Sequence, residues 1–337
     1  MWLENLYLIN MQALLEMPTE ADFAALLASL IVLGILGGSG ILWIQRLRCS
    51  KQCRSQIDHA PAWPIGWINF GIFICALIVG VVAVQLCAAQ LLEIPRPVSN
   101  DPALNHSVET SVSVPAPVNQ EDLPNAESSA PELTPWLAVL GVVLLQVPLF
   151  TTFYGLRKFY PNSFAGRLST QSVSVRQAVM QVVPAFIRYL PMIWIVSFTW
   201  SGFLNILQRF NLIEAFPPQE LIQIFHRGGS PAAITALVIC AIVLAPIVEE
   251  IIFRGGIYSF LKSQATPVWA QLISATLFAL MHGNLLSFLP LMLIGMLLAR
   301  IYERSGNIVV PICFHACFNG FNLLILCIMH YASIPIS

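Results

Sequence analysis

Six side chains in the last third of the chain could do chemistry together. Glu249, Glu250 and Arg254 lie in APIVEEIIFRGG, directly after the apolar run PAAITALVICAIVL. His282 closes LFALMH, and His315 and Asn319 stand four residues apart in PICFHACFNG. Carboxylate, imidazole, guanidinium and carboxamide groups can move protons, balance charge and donate hydrogen bonds. Such a set suits hydrolysis or a proton relay. Two histidines and a glutamate could also make a three-ligand zinc site with an open position. Taken singly, each has a blander reading: a satisfied core histidine, an asparagine acting as interhelical glue at about 0.6 kcal/mol, a structural Glu250–Arg254 pair. Taken jointly they are expensive, since a charged side chain at a helix centre in lipid costs roughly 2.5 to 3.5 kcal/mol on insertion scales. The joint pattern points to a site.

The spacing supports convergence. Glu250 and Arg254, Phe278 and His282, and His315 and Asn319 are each i,i+4 pairs, so each pair shares a helix face. Positions 249 and 282 are equidistant from the Ala265-Thr266 turn. An antiparallel hairpin about that turn would put Glu249 and His282 at one depth, roughly 20 to 25 Å from it at 1.5 Å per residue. His315 lies only nine residues past Gly306 and comes out shallower by the same count. A tilted helix, an interruption at Gly255-Gly256 or a raised 304–308 turn would be needed to bring it level.

The elements that must hold these groups are membrane helices. The 337 residues are 57% hydrophobic and 10% charged, against about a quarter charged in soluble domains. A net charge of −1 and no basic, aromatic-interleaved face give no hint of nucleic-acid binding, and no nucleic-acid partner is expected. Apolar runs of about 20 residues recur, and the expected fold is an all-α polytopic bundle of about eight transmembrane helices. Their expected positions are near 23–45, 66–92, 135–156, 184–206, 233–260, 268–287, 289–304 and 308–331, the seventh being the shortest. Met1 to Met17 reads as an interfacial segment without the basic start of a cleaved leader. Residues 1–92 thus hold this segment and a two-span hairpin. Residues 93–134, rich in Pro, Ser, Glu and Asp, read as a disordered linker. Residues 135–229 hold accessory spans, and 230–331 the core that carries the candidate site.

Lysine and arginine cluster at alternate span ends: Arg46 to Arg54, Arg157 to Arg176, Lys262, and Arg300 with Arg304. The positive-inside rule then predicts both termini on the non-cytoplasmic side. The eight cysteines are scattered through apolar runs or lie in the basic loop, so no disulfide framework is expected.

The sets Glu249-Glu250…Arg254, Phe278…His282 and His315…Asn319, in that order, resemble the CAAX-protease and bacteriocin-processing (CPBP) family, which includes type II CAAX prenyl endopeptidases and Abi proteins. The likeness covers residues 230–331. It implies an intramembrane endopeptidase in which the first glutamate, Glu249, is the general base and His282 helps to orient the water. His315 and Asn319 would donate to the oxyanion, and Glu250 and Arg254 would support Glu249 and balance charge. No cofactor is favoured. The alternative is a zinc enzyme with Glu249, His282 and His315 as ligands, since members of the family have been regarded both ways. A transporter would be expected to show internal repeats, which the sequence lacks, and a non-catalytic scaffold would not need every motif position filled. The expected surroundings are membrane lipid and a peptide substrate, C-terminal CAAX-like or otherwise membrane-associated, in a bacterial inner membrane.

Overall fold

A computed structural model describes residues 20–48, 60–91, 134–214 and 229–333. The expected interfacial segment, the 93–133 part of the linker and the Cys49–Cys53 loop lie outside the described residues. Those described form an all-α bundle with no β-strand, only an isolated bridge between Ser169 and Asn307. Besides a single helical turn at Pro161–Phe164, the eight longer helices in chain order are α1 (Glu20–Arg48), α2 (Trp67–Leu91), α3 (Pro135–Phe159), α4 (Val175–Arg209), α5 (Pro231–Gln264), α6 (Pro267–Leu280), α7 (Leu285–Ser305) and α8 (Val309–Ser333).

Local chemistry sets their ends. Thr134 caps α3 by accepting from the Leu137 N–H, with Pro135 in the first turn where its missing donor costs nothing. Ser174 and Gln177 form a capping box at the start of α4. Asn284 accepts from the Ser287 N–H at the start of α7, and Gly306, at φ +58°, closes that helix with its N–H on the Tyr302 carbonyl.

Seven of the eight helices are long and apolar enough to cross a membrane among the described residues. The expected 268–287 span is the exception. Its helix, α6, runs 14 residues, about 21 Å at 1.5 Å per residue. Past Leu280 the apolar run is broken only by His282-Gly283-Asn284 before it resumes at Leu285, and there the backbone turns, with Gly283 in the left-handed region. Hydropathy registers composition and cannot see that turn. The expected shortest span is, by contrast, the 21-residue helix α7.

α5 is not a uniform helix. Cys240–Leu244 and Ile251–Tyr258 are π-helical and flank the α-helical Ala245–Glu250. The second π segment contains Gly255-Gly256, where the sequence suggested an interruption. Wider i→i+5 turns change which residues share a face, and they concentrate at functional sites. α6 and α7 approach closely at Gly295, where a Cβ would lie 2.9 Å from the Ala275 Cα. Small residues permit this packing in membrane helices.

Candidate active site

Glu249 and Glu250 end the α-helical segment between the two π turns, and adjacent positions on that helix face different surroundings. The Glu250 side chain is fully buried. Its Oε1 accepts from Arg254 Nη1 at 2.8 Å and lies 2.8 Å from His315 Nδ1. Arg254 Nη2 donates to the Gly295 carbonyl at 3.0 Å, and its guanidinium stands 4.8 Å from the Phe278 ring centre. These contacts tie α5 to α7, α6 and α8. Glu250 is therefore bound to His315 and Arg254 rather than to Glu249, which the sequence reading had expected it to hold.

Glu249 faces the other way, with its side chain 18% exposed. Gln146 Nε2 of α3 donates to Glu249 Oε1 at 3.0 Å, and Glu249 Oε2 lies 3.8 Å from His315 Nε2. Gln146 is itself buried. Sequence reasoning missed it. The available signal was a lone amide within the apolar run VVLLQVPLF, which in lipid requires a partner.

His282 does not sit inside α6 but in the turn that follows it, on an exposed stretch. Its Nδ1 is 2.8 Å from the Phe278 carbonyl. A carbonyl oxygen only accepts, so Nδ1 carries the proton in that bond. In the neutral ring this leaves Nε2 as an acceptor. Asn319 donates through Nδ2 to the Ala241 carbonyl at 2.8 Å, in the first π segment of α5. One Nδ2 hydrogen remains beyond that bond.

Glu249, His282, His315 and Asn319 all line one cavity of about 550 Å³, with Phe278 and otherwise mostly apolar walls from α4, α7 and α8. Glu250 and Arg254 lie behind its wall. Glu249 and His282, which residue counting put at equal depth, share this cavity, and His315 joins them there despite the residue count. Among the described residues, no three His, Cys, Asp or Glu side chains cluster as a metal site would require. Some nucleophilic side chains near the two histidines in sequence take packing positions. Ser274 is buried with its hydroxyl on the Phe253 carbonyl, and Cys313 and Cys317 pack against the α4–α7–α8 core.

Most of the segment that carries this cavity is similar in sequence to known proteins. Residues 231–321 match the family described as Type II CAAX prenyl endopeptidase Rce1-like. This part of the chain resembles that family. A Bacillus subtilis (strain 168) protein named "Putative membrane peptidase YdiL" is 35% identical over 89 residues, which are 26% of this chain and 36% of that relative. The chain thus matches about a third of the relative's length. No solved structure matches it. The Rce1-like segment supplies α5 to α7 and the first half of α8, and hence Glu249, Glu250, Arg254, His282, His315 and Asn319. Gln146 and the α4 wall of the cavity come from outside it.

Proposed function

We propose that this chain is an intramembrane endopeptidase that hydrolyses a peptide bond in membrane-associated substrates, C-terminal CAAX-like peptides among them. The convergence of Glu249, His282, His315 and Asn319 on one cavity carries this reading. A pocket of several hundred Å³ with apolar walls and a few polar groups is what a bound peptide segment needs.

In this scheme Glu249 takes a proton from a water whose oxygen attacks the carbonyl carbon. Gln146 holds the carboxylate from behind, and His282 Nε2 accepts the water's other hydrogen, which fixes the attack direction. The new C–O bond leaves the former carbonyl oxygen negative. Asn319, through its remaining Nδ2 hydrogen, and His315, through Nε2–H when the ring carries both protons, donate to that oxygen. Glu250 accepts from His315 Nδ1 and sets the ring's orientation, while Arg254 balances the charge of Glu250. The C–N bond breaks as the proton on Glu249 passes to the leaving amine. The arginine distribution supports both termini being non-cytoplasmic, with a bacterial inner membrane as the setting.

The test is cleavage of a quenched peptide library, with prenylated CAAX peptides included, by the purified full chain in detergent. Activity lost in Glu249→Gln and His282→Ala but kept under a strong chelator would support the scheme. Activity abolished by chelator and restored by zinc would move these residues to ligand roles. Equal activity of wild type and Glu249→Gln would sink the assignment and favour a scaffold or transport role.

A further inference from the structure

A second pocket, of about 210 Å³, lies at the arginine-rich end of the bundle between α4, α7 and the start of α8. Its polar lining is Gln181, Arg188, Tyr189, Arg300, Arg304 and Ser305, with no carboxylate. Arg46, in the last turn of α1, donates to the Tyr189 hydroxyl at 3.2 Å. Arg304 is close enough to both Arg300 and Arg46 to be repelled by their charges. Among the described residues none of Arg46, Arg188, Arg300 or Arg304 forms an ion pair. The Arg188 Nε is buried without a hydrogen-bond partner. The nearest acid along α7, Glu303, is engaged elsewhere with Lys262 and Tyr258. Four guanidiniums drawn together without a counter-charge repel one another, and an anion between them would offset that cost. Planar guanidinium forks match the oxygens of a phosphate.

The surroundings indicate where the phosphate would come from. Trp43 of α1 donates its indole N–H to the Arg188 carbonyl at 3.3 Å and packs edge-on against Tyr189 at 6.2 Å. Arg46 lies 5.8 Å from the Trp43 ring centre. Tryptophan and tyrosine mark the headgroup level of a membrane protein. On the same helix Ile44 and Leu47 are exposed apolar residues, suited to acyl chains. Basic pockets between membrane helices at this level take anionic headgroups. We infer that this pocket binds the phosphate of an anionic phospholipid from the leaflet on the chain's arginine-rich side. It lies about one helical turn along α4 and α7 from the cavity, since Tyr189 precedes Ile193 by four residues and Leu297 follows Ile294 by three.

The test uses the delipidated full chain in detergent, with binding read by native mass spectrometry and by the thermal unfolding midpoint. The probes are dioleoylphosphatidylglycerol, dioleoylphosphatidylcholine and inorganic phosphate. Phosphatidylglycerol should bind the wild type and raise its midpoint more than phosphatidylcholine does. Arg300→Gln/Arg304→Gln should bind phosphatidylglycerol at least about tenfold more weakly, as expected for two lost charge-assisted hydrogen bonds. Without lipid that variant should unfold at the same or a higher temperature, because like-charge repulsion is relieved; a purely structural role for these arginines predicts the opposite. Arg167→Gln, an exposed basic residue outside the pocket, should behave as wild type. Single Arg304→Gln serves should the double variant not fold. Unchanged phosphatidylglycerol binding in either pocket variant overturns the inference, as do equal shifts with the two lipids. A shift with inorganic phosphate and none with lipid also overturns it and leaves a soluble-anion site. Arginine-dependent binding of a peptide with a free C-terminal carboxylate, without any lipid effect, would make the pocket a peptide subsite instead.

Discussion

The helices α1 to α3 and the helices α5 to α8 answer the same solvent in different ways. In α1 to α3 charges are confined to the helix ends, and the long apolar faces are largely exposed, with Leu33, Ile68 and Val79 all more than half accessible. In α5 to α8 the interior holds a fully buried Glu250–Arg254 pair, a buried histidine and a cavity lined by polar groups. Lipid solvates an apolar face without further help, whereas an interior charge persists only when its hydrogen-bonding groups are met by protein or water. One residue crosses the divide. Gln146 of α3 reaches Glu249 and makes the first half of the chain part of the site.

The largest effect should come from removing the cavity's carboxylate. Glu249→Gln is expected to lower peptide hydrolysis about 100- to 10,000-fold, the range of a general acid–base group. Its thermal midpoint should stay near that of wild type, because Glu249 is partly exposed. Breaking the buried network should do the reverse and act first on stability. Arg254→Met leaves Glu250 buried beside His315 with no cation, a loss of about 3 to 5 kcal/mol, read as a lowered midpoint in detergent. Glu250→Gln/Arg254→Met should lose less than the single change, since no bare charge remains, and a larger loss would contradict the ion-pair reading.

Gln146→Leu tests the bridge between the two regions. Losing a hydrogen bond to a charged group, worth about 1.5 to 3 kcal/mol, should cut kcat about 10- to 100-fold with little change in KM. An unaltered rate would confine the site to α5–α8. The smallest effect belongs to the lipid-facing side. Ile68→Ala on α2, at a position 80% accessible, should change stability by no more than about 0.5 kcal/mol and leave hydrolysis unchanged. A larger shift would mean that this face is covered by protein.

Much of this was legible along the chain because it is local or periodic. Hydropathy located the helices, and i,i+4 spacing paired Glu250 with Arg254 and aligned Phe278 with His282. The midpoint at Ala265-Thr266 predicted equal depth for Glu249 and His282, and both line the one cavity. What stayed hidden depended on backbone geometry or on distant residues. The turn at Met281–Asn284 cut short a run that hydropathy read as a full span. The π segments in α5 leave no compositional mark, yet they bracket both glutamates. The Glu250–His315 contact spans 65 positions and Gln146–Glu249 spans 103, so neither has a periodic signature.

The sequence by itself determined that this chain lives in a membrane and that its costly polar groups fall at 249–254, 282 and 315–319 among apolar runs. Both follow from the free energy of moving side chains out of water, which each residue carries wherever it stands. The i,i+4 spacing already paired Glu250 with Arg254, but only the tertiary structure decided which glutamate faces the cavity and which meets His315. Adjacent residues on one helix point about 100° apart, and π turns on either side shift that angle in a way composition does not encode. Packing against α3 and α8 then gives Glu249 a neutral amide and adds a histidine to the Glu250–Arg254 pair of α5, and that difference in partners separates their roles.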